Sequence, residues 1–152
     1  MKTLKFDVNV QAPLAVVWRT MLDQDTYRLW TSSFCEGSYY EGSWEEGAEI
    51  YFLDPKKSGM FAKIAENKFH EFISIKILGC MQNGIKDTES VEAISFVGGY
   101  ENYHFTALGN STRLNIETGT TPEFENYMIA VWPKALDTLK LLCEKTSEMH
   151  HE

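Results

Sequence analysis

Basic residues are scarce in this chain. Fourteen lysines and arginines stand against twenty-two aspartates and glutamates, a net charge of -8. No Lys/Arg cluster or stripe offsets that balance, so a phosphate backbone is a poor partner and nucleic acid is not expected. Cysteine is sparse too. Cys35, Cys80 and Cys143 are odd in number, far apart and without C-x-x-C spacing. They read as structural thiols of a reducing compartment rather than as disulfides or a zinc site. None of His70, His104, His150 and His151 lies three or four residues from another ligand on a helix, so no metal or other cofactor is expected. Long apolar runs are missing: no stretch reaches the ~20 residues of a membrane span, and the first residues lack a signal core. The expectation is a soluble cytoplasmic protein without membrane insertion. No nucleophile–base pair, phosphate loop or carboxylate dyad has recognisable spacing.

What the chain does have is apolar and aromatic. Of its 152 residues, 43% are hydrophobic, an ordinary globular composition. A chain of this length reads as one domain, residues 1–146, followed by a polar tail over 147–152. Residues 3–11 alternate as a strand, with Leu4, Phe6, Val8 and Val10 on one face. Pro13 suits a first helical turn, and Leu14, Val17, Trp18 and Met21 then share one helical face. A short second helix carries Tyr27 and Trp30. From Glu36 to Thr121 the period becomes two, with strands near 37–44, 48–54, 59–67, 71–81, 92–108 and 112–120. Turn residues separate them, among them Asn83-Gly84, whose loop is read as longer than two residues. Gly98-Gly99, inside the longest strand, reads as a bulge where the sheet bends. Thr121-Pro122-Glu123 starts a helix with an apolar stripe at Phe124, Met128, Val131, Ala135, Leu139 and Leu142. Pro133 is expected to bend or break it. The order is β-α-α-β(6)-α, an α+β fold in which a curved antiparallel sheet grips a long C-terminal helix.

Several stretches make a family recognisable. They are A-P-L-A-V-V-W at 12–18, Y-R-L-W at 27–30, E-G-S-Y-Y-E-G-S-W at 36–44 and F-L-D-P at 52–55. The likeness continues with G-M-F-A-K-I-A-E-N at 59–67, E-F-I-S-I at 71–75, T-E-S at 88–90, Y-E-N-Y at 100–103 and W-P-K-A-L-D-T-L-K at 132–140. The chain resembles a bacterial member of the SRPBCC superfamily, the START-like helix-grip proteins. Within it, the chain resembles the branch named after the activator of the heat-shock-protein-90 ATPase. The resemblance implies a cavity for lipids, polyketides or other apolar molecules. It also implies a range of roles, from carriers to cyclases to chaperone activators.

Strand parity and helix faces give the candidate ligand-binding residues. Phe52, Met60, Ile75, Tyr103 and Phe105 belong to the inner face. Trp30, Tyr127, Trp132 and Leu136 line the mouth or the helix side. Glu101 shares parity with Tyr103 and Phe105, so its carboxylate faces the cavity, unless Gly98-Gly99 shifts the register and leaves it solvated. In the cavity its pKa would rise, the usual setting of a general acid or base. Phe61 shares parity with Lys63 and is read as outward-facing. His104 is read as pointing outward. Asp54, Glu66 and Glu89 are weaker candidates to approach the interior. The first function expected is binding of an apolar small molecule, by a monomer or homodimer. One alternative is an enzyme (cyclase, dehydratase or hydrolase) using Glu101. The other is a protein-interaction or chaperone-ATPase-activating module.

Overall fold

The computed structural model describes residues 2–150, with side chains through Ser147. Chain order begins with β1 (Lys2–Val10), then α1 (Leu14–Leu22), α2 (Gln24–Trp30) and one 3-10 turn at Thr31–Ser33. Next come β2 (Tyr39–Gly42), β3 (Glu49–Leu53), β4 (Gly59–Lys68), β5 (Phe72–Gln82) and β6 (Ile85–Asp87). The chain closes with α3 (Val91–Phe96), β7 (Tyr100–Leu108), β8 (Ser111–Thr120) and α4 (Glu125–His150). The strands form one antiparallel sheet in the order β1-β8-β7-β5-β4-β3-β2, with β6 beside the end of β5. The sheet is open and curved, and α4 lies in its concave face, the helix-grip arrangement of the α+β class.

The two short helices meet at Asp23, whose extended backbone (φ -66, ψ 141) ends one and begins the other. Carbonyls in the last turn of a helix lack intrahelical partners. Here aromatic side chains supply them. Trp30 Nε1 donates to the Met21 carbonyl at 3.0 Å, and the Leu22 carbonyl accepts from the Tyr40 hydroxyl at 2.6 Å and Trp44 Nε1 at 3.2 Å. Gln24 brackets the edge strand β2. Its Nε2 donates to the Tyr40 carbonyl at 2.7 Å and its Oε1 accepts the Tyr40 N–H at 3.2 Å.

Alternation builds the core. Ile50, Ile64, Ile73, Ile75, Tyr103, Phe105, Leu114 and Ile116 are buried on the inner face against Trp132, Ala135, Leu136, Leu139 and Cys143 of α4. Phe61 does face away from α4, yet it is covered. It stacks on Tyr51 at 5.6 Å, the Lys86 ammonium sits 4.3 Å above its ring, and Leu53 and Met81 complete a small outer cluster.

Four details depart from the reading of the sequence. Residues 92–99 are not strand: α3 occupies Val91–Phe96, and β7 begins at Tyr100. Ser90 is the reason. Its side chain accepts the Ala93 N–H at 3.1 Å and so caps a helix over β-branched residues. Gly98 (φ +86) then ends that helix, so the Gly98-Gly99 pair is a helix stop and not a bulge. The bulges lie between β4 and β5, at Phe61/Ala62 and Ile64/Glu66. Asn83-Gly84 is a two-residue loop. Both residues have positive φ (52° and 82°) between the paired Gln82 and Ile85, the signature of a type I′ hairpin. This hairpin adds β6, a three-residue strand beyond the six expected after α2.

The fourth departure concerns α4, which runs through Pro133 without a break. The carbonyl that loses its partner there belongs to Ile129, which is exposed, so water can hydrate it. The helix also continues through Ser147, which is buried, to His150. The end of the expected polar tail, including His151, lies outside the described residues. No helix among the described residues is long and apolar enough to cross a membrane.

Candidate functional site

The gripped helix does not fill the sheet. A cavity of about 740 Å³ lies between the inner face and the first turns of α4. It opens where the β3–β4 turn, the end of β5, α3 and the β8–α4 junction converge. Its inner walls are aromatic, from Tyr27, Trp30, Phe34, Phe52, Tyr103 and Trp132. Trp132 is the hub: its ring lies 4.9 Å from Phe34, 5.9 Å from Phe6 and 6.1 Å from Trp30. Its Nε1 is buried without a hydrogen-bond partner among the described residues.

One carboxylate lies deep in this apolar space, on the inner face of the sheet. Glu101 pairs with Ile75 on one side and Thr118 on the other, which turns its side chain to the inner face. The Tyr103 hydroxyl donates to Glu101 Oε2, and Thr118 Oγ1 lies 3.4 Å from Oε1. Burial holds the Glu101 pKa above the usual carboxylate range, although the bonds from Tyr103 and Thr118 pull it back. The Tyr103 hydroxyl is pushed well above its ordinary value, first by burial and then by the Glu101 charge. The Tyr27 hydroxyl is raised for the same two reasons in the same order. The resulting Tyr27–Glu101–Tyr103 group can orient a polar atom of a bound molecule or exchange a proton with it.

The rim is mixed. Tyr127 ties α4 to the loop after α2 by donating from its hydroxyl to the Phe34 carbonyl. Phe96 of α3 meets Phe124 across the opening at 5.6 Å. Asp54, Glu92 and Glu123 bring carboxylates to it.

Seven of the ten residues singled out from the sequence line the cavity: Trp30, Phe52, Met60, Glu101, Tyr103, Tyr127 and Trp132. Ile75, Phe105 and Leu136 do not. They lie in the solid part of the core, where Phe105 packs on Trp18 at 4.9 Å. Parity assigns a residue to a face but not to the filled or empty part of that face. His104 points outward to Glu117 at 3.0 Å. Glu66 and Glu89 are exposed and away from the cavity, so neither approaches the interior as the sequence allowed. Asp54 does line it, while its Oδ1 holds the β3–β4 turn through the Lys56 and Ser58 N–H groups. Thr118 was missed, although Thr112, Leu114, Ile116, Thr118 and Thr120 alternate inward and would have found it. Tyr27 was missed as a wall residue, although it sits one turn from Trp30 on α2. No group of metal-ligating side chains occurs among the described residues.

The fold and the cavity together define a helix-grip architecture, a curved antiparallel sheet around a long C-terminal helix with a cavity between them. Three solved structures illustrate the likeness. The chain superposes on CalU16 from Micromonospora echinospora with a TM-score of 0.65 at 17% identity, covering 93% of this chain and 65% of that one. It therefore spans less than two thirds of that CalU16 chain. Protein MLL2253 from Mesorhizobium loti gives 0.73 at 12% identity, covering 95% and 98%. The Aha1 dimer from Colwellia psychrerythraea gives 0.69 at 13% identity, covering 95% and 97%. No protein-family model matches the sequence, and no curated protein matches it.

Proposed function

We propose that this protein binds an apolar, ring-containing small molecule in the cavity between the curved sheet and α4. The observation that carries this reading is an aromatic-walled space of about 740 Å³ with one carboxylate, Glu101, at its inner end. That volume falls in the ~300–1,000 Å³ range of small-molecule sites. Its chemistry is also typical of such sites, with apolar walls giving affinity and a few convergent polar groups giving orientation. Affinity would come from buried apolar area at about 25 cal/mol per Å².

A neutral dye, N-phenyl-1-naphthylamine, tests the reading. Saturable fluorescence enhancement is expected, and it should be lost in Met60→Trp, which places a large ring in the cavity. Absence of saturable binding to the wild-type protein, or equal binding to the filled variant, refutes it.

A second reading is favoured by the raised pKa of Glu101 beside a phenol. The pair would then serve as an acid–base group acting on the bound molecule. Glu101→Gln would abolish turnover of such a substrate and leave its binding intact.

A further inference from the structure

The charges facing the cavity are all of one sign. Asp54, Glu92, Glu101 and Glu123 line it, and among the described residues no lysine, arginine or histidine does. Lys56 and Lys57, in the β3–β4 turn, are exposed and stand outside the lining. Three of the carboxylates occupy the rim. Glu101 sits inside, with Tyr103 and Thr118 as its hydrogen-bonding partners and, among the described residues, no cation against it. Tyr27, Trp30 and Trp132 line the same cavity.

Each feature discriminates by ligand charge. A buried carboxylate without a counter-ion is costly, and a ligand ammonium would supply that ion. Hydrogen bonds with one ionised partner are roughly twice as strong as neutral ones. Aromatic faces add cation–π attraction, strongest when water is excluded. A ligand carboxylate meets the reverse: like charge at the rim, like charge at the inner end, and no basic group to pair with.

Resting on the apolar-ligand reading above, we infer that the cavity is built for an amine: a ring-containing apolar molecule whose ammonium group pairs with Glu101. Fatty acids and other anionic amphiphiles are excluded by the same groups.

Three probes of one shape test this: 2-naphthylmethylamine, 2-naphthylmethanol and 2-naphthoic acid. Each is titrated near neutral pH against the intact protein by isothermal calorimetry. The expected order is amine, alcohol, acid, with the amine roughly tenfold tighter than the alcohol. In Glu101→Gln the amine should lose its advantage and bind no tighter than the alcohol. An unchanged urea unfolding cooperativity certifies that the variant is folded. Alcohol or acid binding as tightly as the amine in the wild-type protein overturns the inference and leaves the apolar cavity standing. A gap that persists in Glu101→Gln overturns it as well. Failure of all three probes would remove the apolar-ligand reading itself.

Discussion

Tyr103 donates its hydroxyl to Glu101, two residues earlier on the same strand face, so the cavity's one interior carboxylate is held by a phenol of its own strand. That bond favours the ionised carboxylate, but burial outweighs it and the folded-state pKa stands above the ordinary value. The unfolded chain releases the Glu101 proton first as pH rises. Folding stability attached to this group is therefore fully present below the unfolded carboxylate pKa and is lost as pH climbs through the folded one. Glu101→Gln cannot titrate. The variant should gain stability relative to the wild type between mildly acidic and neutral pH. Urea unfolding of both proteins across that range checks this, and a pH-independent difference would contradict it.

The three thiols should separate cleanly by reactivity. Cys143 is fully buried in the core, and burial pushes its pKa up to about 11. Cys80 lines the cavity, and its pKa is raised by burial and by Asp87 and Glu92. Cys35 is exposed. Thiolate is the reactive form, so iodoacetamide at neutral pH should label Cys35 first, Cys80 slowly and Cys143 only after denaturation. An occupied cavity should slow Cys80 further without altering Cys143. Peptide mass spectrometry over a time course reads all three, and labelling of Cys143 in the native protein would refute the assignment.

Period-two alternation and the apolar stripe of the last helix were enough to read the sheet and the helix it grips. Loops and short elements were not legible in the same way. V-E-A-I-S-F carries β-branched residues, and Val91 and Ile94 remain exposed in the helix they form. Its helicity depends on the Ser90 cap and the Gly98 stop, local geometry that outweighs side-chain propensity in a six-residue element. Phe61 showed a different limit: its outward parity was correct, but its burial depends on Met81, brought beside it by the β4–β5 ladder, and on Lys86, brought over its ring by the β5–β6 hairpin. Ile75, Tyr103 and Phe105 share the inner face, and Tyr103 alone of the three meets the cavity. Which part of a face stays unfilled depends on helix placement and rotamers, and neither leaves a periodic trace.

Removal of the Ser90 cap should loosen α3 alone. The Ser90 side chain accepts the Ala93 N–H and itself donates to Asp87 Oδ2 at 2.6 Å. Ser90→Ala should cost about 1 kcal/mol of local stability. Hydrogen exchange at Ile94 and Val97 should accelerate about fivefold, with the global unfolding midpoint nearly unchanged. Equal acceleration in the inner strands would mean that α3 is integral to the cooperative core.

The segment from Asn83 to Gly99 leaves and returns along a single border of β5. Gln82 pairs with Ile85 on departure, and Ile77 exchanges hydrogen bonds with Gly98 and Gly99 on return. Strand pairing on either side is set without it, since Phe72–Lys76 align with β7 through their own ladder. The part of the wall that carries Glu92 and Phe96 is thus an interchangeable cassette on a fixed frame. Substitutions, or a different length, between Gly84 and Gly98 would reshape the entrance and its electrostatics while leaving the alignment of every long strand intact. Selectivity can drift in such a molecule without renegotiating how it folds.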